Sequence, residues 1–383
     1  MFLEKMLLFC HNFAILLVVE FYQKGKASMR NLVLLGGGYG NMRILLRILP
    51  NLPEHIHITL IDRVPYHCLK TEYYALAAGT ISDQHIRVPF PEHPRLSYVF
   101  GEVKKIDLHH EVVHLQDGTC IPYDDLVIGL GCEDKYHGVP GADIFTYSIQ
   151  TIDKARETYQ KLSNLPPHSI VGVVGAGLSG VELASELVES RPDLHVKLFD
   201  RGTRILSMFP ERLSHYVEQW FHSHGVELIR QSNITKVEEH TLYNHDEAIH
   251  CDAIVWTAGI QPNRVVRELD VEKDSQGRVV LTPRHHIPNI ENVYVVGDCA
   301  SLPHAPSAQL AEGQAEQIAQ VLQKRWKDEE PPSEFPPIKL KGILGSLGKK
   351  HGFGLVADRP LTGRVPRLLK SGVLWMYKYH NGY

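Results

Sequence analysis

The chain has no closely spaced cysteine pair. Its six cysteines, Cys10, Cys68, Cys120, Cys132, Cys251 and Cys299, are scattered over 383 residues. That spacing argues against a disulfide scaffold, a zinc site and a redox-active dithiol, and it suits a reducing compartment. No excess of one charge is present: 40 Lys and Arg face 44 Asp and Glu. Nucleic acid is therefore not expected as a partner. The 23 histidines are dispersed, and His109-His110 and His285-His286 have no further ligand types at metal spacing. No metal site is expected. What is present is ordinary for a soluble globular protein, with 43% hydrophobic and 22% charged residues. The length suggests two or three domains, with cores that need no covalent staples.

Residues 1–28 stand apart. The apolar run from Phe13 to Val19 is closed by Glu20 and preceded by His11 and Asn12. It falls short of the ~20 apolar residues of a membrane span. A signal peptide ending near Gly25-Lys26-Ala27 is opposed by Glu4 in its first region. The favoured reading is an upstream extension of a core that begins at Met29, with a short interfacial anchor as the functional alternative.

Two similar units follow. Asn31 to Leu35 reads as a buried strand, Gly36-Gly37-Gly38-Tyr39-Gly40-Asn41 as a turn, and the run through Met42, Leu45, Leu46 and Leu49 as a helix. A second strand, His57 to Ile61, ends at Asp62. This strand, glycine turn, helix, strand and acid order marks a dinucleotide site. Gly36 permits the tight turn, and Gly38 lets backbone approach a pyrophosphate at the helix N-terminus. Asp62 is placed to accept from an adenosine ribose. Asn41 occupies the third glycine position, which serves helix–strand packing.

The second unit is complete. The strand Ser169 to Val174 leads into Gly175-Ala176-Gly177-Leu178-Ser179-Gly180, and the strand His195 to Phe199 ends at Asp200. Glu182 lies in the helix that the turn opens. Two dinucleotides are implied. A carboxylate at Asp200 bonds a ribose 2′-hydroxyl and repels a 2′-phosphate, which favours NADH. Arg201 and Arg204 leave NADPH open.

From about Met29 onward the chain resembles the two-dinucleotide flavoprotein superfamily of pyridine-nucleotide oxidoreductases. Further segments carry the likeness. Ala253 to Gly259 with Pro262-Asn263 is similar to the stretch that returns the chain from the NAD domain to the FAD domain. Val293 to Asp298 is similar to the second FAD motif, whose aspartate bonds the flavin ribitol. Leu126 to Gly131 is similar to the segment that closes the first FAD stretch. The superfamily's disulfide reductases carry a cysteine pair near Tyr66 to Thr71, where this chain has only Cys68. Its sulfide–quinone reductases need a late cysteine, and none follows Cys299.

Type II NADH dehydrogenases are the closest resemblance. It rests on Tyr66-His67 with Ala77-Ala78-Gly79, on Glu182, and on Ala308-Gln309-Leu310-Ala311-Glu312-Gly313-Gln314. The last is similar to the family's A-Q-x-A-x-Q quinone-site helix, with Gly313 at the final glutamine position. The likeness implies an α/β fold of two Rossmann-like domains, the NAD domain inserted in the FAD domain. It implies FAD contacts at Gly36, Gly38, Tyr39, Asp62, Thr71, Val103, Gly129, Gly297, Asp298 and Ala311. It implies nicotinamide-dinucleotide contacts at Gly175, Gly177, Gly180, Asp200 and Gly259. Glu182 becomes the catalytic residue, and Gln309, Gln314 and Lys370 belong to the acceptor site. Expected cofactors are FAD and NADH. The expected acceptor is a menaquinone-like quinone or another electron acceptor. Alternatives are a soluble NAD(P)H oxidoreductase with a non-quinone acceptor and a flavin-binding redox sensor.

The expected boundaries are 29–150 and 263–330 for the FAD domain and 151–262 for the NAD domain. Residues 331–383 are a C-terminal segment behind a proline-rich acidic linker at 328–337. From Arg359 to Tyr383 there are five Lys or Arg and no acid. Val365, Leu368, Leu369, Val373, Met376 and Tyr379 recur at helical spacing, with Arg367, Lys370, Ser371 and Lys378 on the other side. This reads as a basic amphipathic helix on an anionic membrane surface. The type II anchor agrees with it and places the protein on the inner face of the cell membrane. A core or homodimer-interface helix is the competing reading.

Overall fold

The computed structural model describes residues 29–380. The expected upstream extension at 1–28 lies outside the described residues.

The strand Arg30–Leu35, apolar and buried from Leu32 onward, forms the centre of the first sheet. It pairs in parallel with Ile56–Asp62 on one side and Asp125–Ile128 on the other. The full order is His286–Ile287, Ile290–Val295, Asp125–Ile128, Arg30–Leu35, Ile56–Asp62, Leu96–Phe100, parallel except for the outer hairpin. Strands covered on both faces read as near-continuous apolar runs. One face of this sheet meets the helices Tyr39–Ile48 and Ala308–Arg325 through Leu34, Ile44, Leu45, Ile58, Ile318 and Leu322. The other face meets a three-stranded meander, Val103–Asp107, Val112–Leu115 and Cys120–Pro122, through Val33, Leu35, Val103, Val113 and Leu126.

The chain leaves and returns on a pair of antiparallel strands, Cys132–Asp134 and Ile260–Pro262. Between them lies a second parallel sheet, ordered Glu227–Ile229, His195–Phe199, Ile170–Val174, Ala253–Trp256. Its helices include Leu178–Ser190 and Glu211–Ser223. The expected α/β architecture of two Rossmann-like units, one inserted in the other, is thus present.

Residues 330–341 contain no helix or strand, yet they are tied down. Arg284 donates to the carbonyls of Pro331 and Pro332, and Gln317 donates to that of Pro336. An antiparallel sheet then appears that the sequence reading did not contain: Gly342–Leu347, His351–Val356 and Arg359–Gly363. The expected helix starts only at Arg364 and runs to His380. Glycines hide these strands, because an isolated glycine weakens strand patterning. They are needed for close approach. A Cβ on Gly352 would stand 2.9 Å from the backbone nitrogen of Arg367, and one on Gly354 2.5 Å from the Ile343 carbonyl oxygen. The sheet is thereby sandwiched between the helix Leu178–Ser190 and the C-terminal helix. Among the described residues no helix is long and apolar enough to cross a membrane.

The Gly345→Ala variant tests this packing. Its Cβ would lie 2.4 Å from the buried Phe353 ring and 2.8 Å from Leu178. Overpacking there is expected to cost about 1–3 kcal/mol, measured as a shift in the urea unfolding midpoint at constant slope.

Candidate functional site

Both glycine turns leave the C-terminal end of a central strand, and they repeat one another in detail. Gly36 has φ +85° and Gly175 φ +103°, and a Cβ on either would collide with backbone, at Gly129 and Ala258 respectively. A side chain at Gly38 or Gly177 would meet nothing within 4 Å. Open space therefore faces the middle glycine of each turn. Each is also the N-cap of its helix and offers no side-chain cap. By contrast, Thr151 and Ser307 cap the helices Ile152–Ser163 and Ala308–Arg325 through their hydroxyls. Uncapped first-turn N–H groups facing open space are a ready anion site. On these observations the turns fit two dinucleotide pyrophosphates.

The acids repeat as well. Asp62 accepts from the N–H of Gly37 at 2.5 Å and of Val64 at 3.0 Å. Asp200 accepts from the N–H of Ala176 at 2.8 Å and of Gly202 at 2.7 Å. Each carboxylate oxygen retains acceptor capacity for a ribose hydroxyl. At the third glycine position the turns part. A Cβ on Gly180 would sit 1.9 Å from the Gly175 carbonyl oxygen. Asn41 instead turns inward and donates from its amide to the carbonyls of Leu35 and Gly36, at 2.9 and 2.8 Å. Close packing passes to Gly40, whose Cβ would lie 2.6 Å from Val296. Gly129 stands beside Asn41, and Gly259 follows Ala258 at the second turn.

The Gly297-Asp298 turn lies against the helix Ala308–Arg325, with Ala311 3.5 Å from where a Gly297 side chain would begin. Asp298 has two neighbours that sequence reasoning missed. Its Oδ2 accepts from the Cys132 thiol at 3.0 Å and lies 3.8 Å from Lys70 Nζ, which is itself 3.0 Å from Cys132 Sγ. Burial pushes the Cys132 thiol up to about 12. A faint signal existed: Cys132 directly follows the Gly129–Gly131 turn, and Lys70 adjoins Thr71. Val103 is a core residue at the start of its meander strand.

The two glutamines expected at an acceptor site serve the backbone. Gln309 donates to the Gly342 carbonyl and accepts from the Lys341 N–H. Gln314 is fully buried. It accepts from the Gly297 N–H and donates to the Val295 carbonyl, each at 2.9 Å. With no exposed surface, it fixes the Gly297 turn. At Gly313 a Cβ would meet Ile338 at 2.5 Å, so the linker fills the space a side chain there would take.

Glu182 is buried and accepts from the Ser346 N–H at 2.9 Å. It pairs with Lys370 of the C-terminal helix. Lys370 also donates to the Tyr74 hydroxyl at 2.8 Å, lies over that ring, and stands 3.9 Å from Glu72. Burial raises the Glu182 pKa, and Lys370 opposes the rise. Burial also works against the charge on Lys370. The surrounding Glu182, Tyr74 and Glu72 overcome it and lift the lysine above its ordinary range.

A second anchor lies further along the same helix. The Tyr377 hydroxyl is 3.0 Å from His67 Nε2, and His67 Nδ1 is 2.7 Å from the Gly37 carbonyl oxygen. Tyr39 packs its ring against both and hydrogen-bonds Thr71 at 2.9 Å. Lys378 reaches the His85 carbonyl. The helix therefore docks through Lys370, Leu374, Tyr377 and Lys378, while Val365, Leu368, Leu369, Val373 and Trp375 face outward, Leu368 at 70% exposure. Lys370 and Lys378, on the side opposite that apolar stripe, are spent on the protein.

Lys370→Met tests the buried pair. Leaving Glu182 unpaired is expected to cost about 3–5 kcal/mol at pH 8. A carboxyl whose folded pKa is raised loses stability as pH rises from its unfolded toward its folded value. The deficit therefore shrinks on acidification toward the ordinary carboxylate range, as read by urea unfolding at pH 8 and pH 5.

Comparison with known proteins agrees with this geometry. The chain is 71% identical over 355 residues to the NADH dehydrogenase-like protein YutJ of Bacillus subtilis (strain 168), covering 92% of this chain and 100% of that one. It is 25% identical to a type II NADH:quinone oxidoreductase of Staphylococcus aureus (strain MSSA476), covering 89% and 93% of the two chains. The solved structure of NDH2 from Plasmodium falciparum in complex with NADH superposes with a TM-score of 0.81 at 16% identity, covering 92% of this chain and 97% of that one. The model of the pyridine nucleotide-disulphide oxidoreductase family matches residues 30–315, and with its two glycine turns in place the chain belongs to that family of oxidoreductase enzymes.

Proposed function

We propose that the protein is an FAD-dependent NADH dehydrogenase that passes electrons to a quinone at a membrane surface. In this reading residues 29–150 and 263–330 hold FAD, 151–262 hold NADH, and 331–383 form the membrane-facing segment. The observation that carries it is the pair of matched, uncapped glycine turns flanking one buried Glu182–Lys370 pair. Bound flavin supplies hydride acceptance from NADH and two-electron delivery to the acceptor.

The protein's own part is orientation and charge. Gly36, Gly38 and Asp62 hold the flavin dinucleotide at its pyrophosphate and ribose. Tyr39, Thr71, Val103, Gly129, Gly297, Asp298 and Ala311 shape the rest of its cradle, with Lys70 and Cys132 fixing the Asp298 carboxylate. Gly175, Gly177, Gly180 and Gly259 seat the NADH pyrophosphate, and Asp200 selects NADH through its ribose. Glu182 and Lys370 hold a fixed, paired charge beside the second turn, with the proton kept on the Lys370 ammonium. The likeness to type II NADH:quinone oxidoreductases supports a quinone as acceptor. A second reading, a non-quinone acceptor, is favoured by two observations: Gly313 is covered by Ile338, and Gln314 is buried.

An anaerobic experiment separates the two. The FAD-loaded protein is reduced with one equivalent of NADH and mixed with a soluble menaquinone analogue. Rapid recovery of oxidised-flavin absorbance is expected. Bleaching by NADH without recovery discards the quinone and retains the oxidoreductase.

The outward apolar face supports membrane association. Burying it is worth ~25 cal/mol per Å², so Leu368→Ser with Trp375→Ser is expected to weaken sedimentation with anionic lipid vesicles at least about tenfold. NADH oxidation by a water-soluble acceptor should be unchanged, since neither side chain enters the site.

A further inference from the structure

We propose that His67 and Tyr377 are positioning residues for the first nucleotide turn, so that seating of the C-terminal helix controls retention of its dinucleotide. The proposal rests on the reading that this turn holds FAD.

The argument starts from one peptide plane. The Gly37 carbonyl and the Gly38 N–H belong to the same planar trans peptide and point in opposite directions. His67 Nδ1 holds that carbonyl at 2.7 Å on the buried side of the turn. The Gly38 N–H is thereby aimed away from His67, and a Cβ on the same residue would meet nothing within 4 Å, so a ligand has room to approach this turn. A carbonyl oxygen only accepts, so Nδ1 carries the ring proton and Nε2 is the acceptor. Tyr377 donates to Nε2 at 3.0 Å and so fixes the tautomer that Gly37 requires. In the opposite tautomer an unprotonated Nδ1 would face the carbonyl and push the peptide away. The ring is fully buried and burial lowers its pKa to about 4, so it stays neutral and tautomer choice matters.

The second turn shows what is unusual here. Its equivalent carbonyl, that of Ala176, is held by a backbone N–H, that of Leu206, at 3.0 Å. Backbone has no tautomer and belongs to the same unit. Only the first turn places this carbonyl under a side chain whose state is set by Tyr377, 310 positions away in sequence.

The test compares dissociation constants for FAD and for NAD⁺, measured on the full chain by flavin fluorescence and by calorimetry. Tyr377→Phe is expected to raise the FAD dissociation constant about 2- to 12-fold, the range for one lost hydrogen bond, and to leave that for NAD⁺ unchanged. His67→Asn places an amide N–H near the position of Nδ1 and has no tautomer. Adding Tyr377→Phe to His67→Asn should therefore change FAD binding no further. The proposal is overturned if Tyr377→Phe binds FAD like the wild type, if the two losses add in the double variant, or if NAD⁺ binding weakens equally. A wild-type protein that takes up no FAD would instead overturn the underlying reading of the first turn.

Discussion

A carboxylate buried in the middle of a helix sets the terms for much of this molecule. Glu182 is buried, and an uncompensated buried charge costs several kcal/mol. Its partner arrives from the far end of the chain, as Lys370. For Lys370 to reach it, the C-terminal helix must lie against the second nucleotide unit, with a sheet between that brings the Ser346 N–H to the same oxygen. That sheet must be thin, which explains its glycines. The helix must also present its Lys370 side inward, which leaves Leu368, Leu369 and Trp375 outside. One electrostatic requirement thus organises the segment from Gly342 to His380.

The two nucleotide units were legible because their signals are local and doubled. A strand, a glycine turn, a helix and a distant acid are set by backbone geometry, and Asp62 and Asp200 bond the same backbone position in each turn. The third glycine was legible only by its absence. That Asn41 compensates with two hydrogen bonds and that Gly40 takes over the packing are consequences of neighbours distant in sequence. Lys70 and Cys132 were missed for the same reason. Each is unremarkable alone and acquires meaning through Asp298. Helical periodicity correctly grouped the apolar residues of the C-terminal helix, but periodicity cannot say which face points in. The usual assumption fails where a buried acid must be paired.

Gln314 ties its helix to the Gly297 turn. Gly313 looks like a lost side chain. In the structure it is a seat for Ile338, so the departure and the linker's course explain each other.

The inside-out helix has a consequence for how the whole molecule meets any apolar phase. Successive residues of an α-helix are ~100° apart, since 3.6 make a turn. A one-residue slip would carry Lys370 away from Glu182 and turn leucines against the core. The rotational phase of this helix is therefore locked from within, by bonds that have nothing to do with lipid. Because that phase also decides which way the apolar stripe faces, the attitude of both nucleotide turns relative to a surface is fixed before any surface is encountered.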